Sequence, residues 1–208
     1  ILHHIAHVHG AFPGHNLEWD GDAVAAMPMQ GRFTLATLSA ELSAEFSLFP
    51  HDAVLAAYLK DRASKPYDPV APDPDANYEE TIRIDVSALE PLVVLPNKVA
   101  HNAAPARELG ESKIDQAFIG SCANGRIEDF AVAAEILIGR QVAPGVRMIV
   151  TPGSQSVLQE AIAKGYVETL MNAGAVVTNS TCGACYGGHM GVLGDGEVCI
   201  TASTRNFQ

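Results

Sequence analysis

Ala117-Phe118-Ile119-Gly120-Ser121-Cys122-Ala123-Asn124-Gly125 is an apolar run that breaks at a glycine into small polar residues. Residues 127–138 follow at once with helical spacing, so the stretch reads as strand, turn and helix. Outward from it the same unit recurs. The pattern predicts further strands over 146–150, 175–178 and 198–201 and a second helix over 156–171, with glycines at the junctions. Such alternation predicts an α/β fold, a parallel sheet covered by helices, because parallel strands need long crossovers.

Upstream the texture changes. Pro66, Pro69, Pro72 and Pro74 lie among Asp, Ser and Asn between residues 63 and 80. Prolines at that density fix φ and remove donors, so the segment reads as a linker or long loop. Before it, Phe33, Leu35, Leu38, Leu42 and Phe46 predict one amphipathic helix over 32–49. Asp52 stands where an N-cap belongs, ahead of a helix over 53–62. Short strands are expected near 16–19 and, by alternation, over 81–86. The chain divides into a helix-rich part domain (1–62), a Pro-rich linker with a connecting strand (63–112) and an α/β domain (113–208).

The 208 residues are 48% hydrophobic, enough to bury a core. A formal charge of −11 argues against nucleic acid, whose phosphates need a basic face. No apolar run approaches the ~20 residues of a membrane span, and the start is not a signal peptide. The expectation is a soluble, cytoplasmic protein. The chain opens at Ile1 without an initiator Met and ends just after a strand, so a piece of a longer protein is expected.

In open α/β sheets, ligands bind beyond the carboxyl ends of the strands. Three predicted strands deliver unusual residues there: Ser121-Cys122, then Thr181-Cys182-Gly183-Ala184-Cys185, then Ser203-Thr204-Arg205. Taken singly, a lone Cys is usually a small core hydrophobe, and a CxxC suits a redox pair or half a zinc site. Together, three thiolates suggest an iron–sulfur cluster with one iron left open as a Lewis acid. Cys199, inside an apolar strand, reads as a core residue, although it is the available fourth ligand. Arg205 suits a substrate carboxylate, its planar fork matching two oxygens, with a surface salt bridge as the plain alternative. Glu41 and Glu45 share a helical face that suits a solvated edge. His3, His4, His7 and His9 suggest a metal, yet they interleave with apolar residues and lack an acidic partner.

With these residues laid out, the chain resembles the aconitase superfamily, and within it the isopropylmalate dehydratase and homoaconitase branch. The matching stretches are Phe118 through Arg126, Thr151-Pro152-Gly153-Ser154, Thr181 through Cys185, Gly196-Glu197-Val198-Cys199 and Arg205-Asn206-Phe207, with Gly31-Arg32-Phe33-Thr34 upstream. Gly187-Gly188-His189-Met190-Gly191-Val192-Leu193 is similar to that branch more than to aconitase itself. The resemblance implies three-layer α/β/α domains of aconitase type, two of them joined by the Pro-rich linker. It implies a [4Fe-4S] cluster on Cys122, Cys182 and Cys185, a substrate-carboxylate contact at Arg205, and a catalytic glutamate at Glu41 beside the substrate hydroxyl. Three positions depart from the family: Ala123 for its usual Thr, Thr204 for Asn, and Thr37 for a further Asn.

The implied activity is that of a hydro-lyase large subunit. It dehydrates and rehydrates a 2-hydroxy di- or tricarboxylate, with 3-isopropylmalate in leucine biosynthesis the leading substrate. The partner is a small, swivelling subunit that carries the catalytic serine. The alternatives are homoaconitase or aconitase activity, a CxxC thiol redox module, and a non-catalytic cluster-binding remnant.

Overall fold

The structure, a computed structural model, describes residues 1–206. Its central feature is a four-stranded parallel sheet of β5 (Gln116–Gly120), β6 (Arg147–Thr151), β7 (Val176–Val177) and β8 (Cys199–Thr201). The order across the sheet is β7-β6-β5-β8. The chain thus moves outward from β5 through β6 to β7, then returns to pair β8 on the other side of β5. That reversal opens a crevice at the carboxyl end of β5, the topological switch point where such sheets take ligands.

Alternating side chains explain how the sheet is covered. Val150, with Ile119, Met148 and Val177, packs against α6 (Ile127–Leu137), α7 (Gln155–Ala163) and α8 (Tyr166–Asn172) through buried Phe130, Ala161 and Leu170. Phe118 and Ile149 point the other way, onto Cys185, Ala184 and Cys199. There the cover is a loop with one 3-10 turn (Gly183–Cys185). The helix expected over 156–171 is two helices, because Gly165 takes a left-handed conformation (φ 76°) between α7 and α8.

The first part of the chain has its own core. Leu2, Ile5 and Ala6 of α1 (Leu2–His9) meet Leu35 and Leu38 of α3 (Met29–Ser39) and the fully buried Leu42. A short α2 (Asp22–Ala25) precedes α3. β1 (Asn16–Glu18), where a strand was expected, pairs in parallel with β2 (Phe46–Leu48). The single helix expected over 32–49 is therefore corrected. α3 ends at Ser39, a 3-10 turn runs Ala40–Leu42, and Ser43 turns left-handed (φ 62°) into β2. Leu42 and Phe46 matched a helical period by spacing alone. Strand pairing with β1 prevailed, and Phe46 is 63% exposed.

Asp52 caps α4 (Ala53–Leu59) by accepting from Leu55 N at 3.0 Å. Its carboxylate also holds the buried Arg32 guanidinium at 2.9 and 2.5 Å. Residues 63–80 contain neither helix nor strand. The strand expected over 81–86 is absent. Nothing pairs with that segment, and a 3-10 turn at Val86–Ala88 follows, led by Asp85 bonded to Ser87 N. Instead β3 (Leu92–Val94) and β4 (Ala103–Pro105) form an antiparallel pair, which sequence reasoning missed. No helix among the described residues is long and apolar enough to cross a membrane.

Candidate active site

A cavity of about 780 Å³ opens at the switch point. β5 delivers Ser121 and Cys122 through the short helix α5 (Ser121–Asn124). Gly125 lets that turn lie against β6, since a Cβ there would strike the Thr151 and Ser121 carbonyls. The chain beyond β7 supplies Thr181, Cys182 and Cys185, and the chain beyond β8 supplies Thr204 and Arg205. The opposite wall comes from the first part of the chain: Ala36 and Thr37 on α3, then Ala40 and Glu41 on the 3-10 turn. Thr34 Oγ1 bonds the Ala123 carbonyl at 3.1 Å, tying α3 to the Cys122 turn.

The five residues singled out from the sequence (Glu41, Cys122, Cys182, Cys185 and Arg205) all line this one cavity. Cys122 and Cys182 are exposed and Cys185 is buried. Cys185 N bonds the Cys182 carbonyl at 2.8 Å and Gly188 N bonds the Gly183 carbonyl at 3.2 Å, folding the CxxC loop on itself. Cys122, Cys182 and Cys185 thus present three thiols to a cavity that His189 and Glu41 also line. Among the described residues no set of three His, Cys, Asp or Glu converges on a single-ion site. Cys199 does not line the cavity; burial pushes its thiol pKa up, which disfavours the thiolate a metal needs.

Arg205 Nε donates to Glu41 Oε1 at 2.9 Å, across 164 residues of sequence. That bond raises the arginine's already high pKa. Each neighbour of Arg205 is anchored. Thr204 Oγ1 lies 3.8 Å from Cys185 Sγ, and Asn206 bonds the β3–β4 connection at Lys98 O (2.9 Å) and Asn97 N (3.0 Å).

The departures find ordinary roles. Thr37 Oγ1 bonds back to Phe33 O at 2.9 Å, and Ala123 is buried. His3, His4, His7 and His9 lie on α1, away from the cavity; His7 Nδ1 accepts from Ala103 N at 3.3 Å. Sequence reasoning passed over Ala36, Ala40, Tyr186 and His189 as wall residues. The first two carried a usable signal, since Ala36, Thr37, Ala40 and Glu41 fall at helical spacing. His189 bonds Thr181 Oγ1 at 3.1 Å, a contact between loop residues that no spacing reveals.

The model of the aconitase family (aconitate hydratase) matches residues 1–104 and 97–208, and the chain belongs to that family. Among individual proteins, it is similar to the 3-isopropylmalate dehydratase large subunit of Mycolicibacterium smegmatis, 53% identical over 207 residues, covering 100% of this chain and 49% of that protein. Proteins of the same description from Moorella thermoacetica (45% identical, covering 92% of this chain and 45% of that one) and a Nitratiruptor species (46%, covering 92% and 46%) are also similar. The chain spans about half the length of the curated relatives it matches.

Proposed function

We propose that this chain is the cluster-bearing part of a hydro-lyase large subunit that isomerises a 2-hydroxy dicarboxylate of the 3-isopropylmalate type, together with a small subunit. The observation that carries the reading is the convergence of Cys122, Cys182, Cys185, Glu41 and Arg205 on one cavity at the sheet's switch point. The thiols are proposed to hold a [4Fe-4S] cluster, and the surroundings suit one. The donors stand around the cavity rather than at one point, and Gly125 and Gly153 let backbone pack closely against the Ser121 carbonyl, next to Cys122.

When bound, such a cluster supplies an iron with an open position, a Lewis acid for a carboxylate and the neighbouring hydroxyl. Arg205 grips the substrate's other carboxylate through paired charge-assisted bonds. Glu41 stands at the hydroxyl and handles its proton as it leaves as water, while a base in the partner subunit removes the adjacent C–H proton. Adding water back with the two positions exchanged gives the isomer. The chain is proposed to form two α/β part domains (1–62 and 113–208), with 63–112 as the Pro-rich connection; in the second, helices cover one face of the sheet and a loop the other. Ile84 and Val99 of that connection lean on the first unit's core.

The test is anaerobic reconstitution. The chain should gain a visible iron–sulfur absorption, and the whole large subunit, with the small subunit, should turn over 3-isopropylmalate. Cys122→Ser, Cys182→Ser and Cys185→Ser should each lose or degrade the absorption. A colourless wild-type protein that forms a reversible Cys182–Cys185 disulfide would defeat the reading.

A further inference from the structure

The Glu41–Arg205 pair points to more than two separate contacts for one substrate. Both side chains line the cavity, and their hydrogen bond spans it from the first part of the chain to the last. Arg205 is the one Lys or Arg among the cavity-lining residues, in a chain of formal charge −11. Glu41 therefore cancels the cavity's positive group and occupies the Nε edge of the guanidinium, an edge that can bind a carboxylate bidentately. An arriving anion meets a guanidinium already engaged by a carboxylate, beside three thiols.

We infer that Glu41 is the built-in competitor of the substrate carboxylate at Arg205, so that substrate binding itself releases Glu41 to act on the hydroxyl. This rests on the assignment of Arg205 as the carboxylate grip. No bond is made or broken in the exchange; one carboxylate replaces another on the same guanidinium. Arg205 is 41% exposed and Glu41 18%, so water reaches the guanidinium side of the pair and screens it, which lets one carboxylate replace the other. The freed Glu41 stays within reach because its 3-10 turn is anchored by the fully buried Leu42 beside it. Until an anion arrives, the glutamate is held away from proton work.

The experiment is calorimetric binding of succinate, a dicarboxylate without a hydroxyl, to the intact protein with its cluster rebuilt; succinamide is the neutral control. Glu41→Gln should bind succinate about fivefold more tightly, the gain expected from removing a partly exposed ionic competitor. Succinamide binding should not change. Arg205→Gln should weaken succinate, and the double variant should bind no better than Arg205→Gln alone. Glu41→Asp keeps the charge on a shorter arm and should fall between wild type and Glu41→Gln. It serves as the second probe if Glu41→Gln does not fold. If Arg205→Gln weakens succinate while both Glu41 variants bind like wild type, the competition is wrong and the grip stands. If Arg205→Gln also leaves succinate binding unchanged, the grip itself is wrong.

Discussion

Arg205 is held on both sides, by Thr204 against Cys185 and by Asn206 on the β3–β4 connection, so its fork is aimed before any ligand arrives. In a complete enzyme, Arg205→Lys keeps the charge and loses the fork. With bonds to charged groups contributing roughly 1.5–3 kcal/mol, kcat/KM should fall about ten- to a hundredfold while the cluster absorption is retained. An unchanged rate with an unchanged spectrum would make Arg205 structural. Cys199→Ser should leave the absorption intact, because that side chain packs under the sheet with Phe118 and Ile149. Loss of the chromophore in this variant would reassign a ligand. The thiols and Arg205 were legible in sequence because each follows a strand end, and strand ends in a parallel sheet share one edge. Glu41 was legible only through family resemblance. With Glu45 it read as the solvated edge of a helix, and only the partner 164 residues away shows what it meets.

At the scale of elements, Arg32 on α3 and Asp52 at the start of α4 form a joint that the sequence conceals. A buried arginine is rare, and nothing in Gly31-Arg32-Phe33 announces that it is 1% exposed. It also donates to the Met27 and Val24 carbonyls at 3.1 and 3.0 Å, so removing it orphans several acceptors. Arg32→Met should destabilise the protein toward the low end of about 3–5 kcal/mol, measured by urea unfolding. The bond from Arg32, then that from Leu55 N, lowers the Asp52 pKa from an ordinary 3.8 to about 2. The folded state therefore binds its proton later than the unfolded chain. The pair's stabilisation is complete above the ordinary value and disappears as pH falls through about 2. Asp52→Asn should flatten that acid limb in urea midpoints taken across the same range. Gly125→Ala tests a second joint. The added Cβ meets β6 backbone rather than a yielding side chain, so a loss of about 1–3 kcal/mol and a disturbed Cys122 turn are expected. The strands that sequence reading missed, β2, β3 and β4, are each three residues long. So short a run carries no periodicity of its own; partners distant in sequence decide it.

For the whole molecule, the chain's half-length span of its relatives bears on activity. Purified alone with its cluster rebuilt, the 208-residue chain should not turn over 3-isopropylmalate, since a missing or misplaced catalytic group costs about 100-fold or more. Turnover without an added partner would overturn this. The sheet order β7-β6-β5-β8 has a separate consequence, for biosynthesis. During translation β5, β6 and β7 emerge in the order in which they pair, so Cys122, Cys182 and Cys185 can gather while β8 is still inside the ribosome. Arg205 arrives later, with the strand that closes the other flank of β5. Metal delivery can therefore precede arrival of the proposed carboxylate contact, and a chain truncated after residue 190 and freed from the ribosome should already acquire the iron–sulfur colour from a loading system. If colour appears only when residues 199–205 are present, β8 is needed to hold the thiols in place, and loading must wait for that strand.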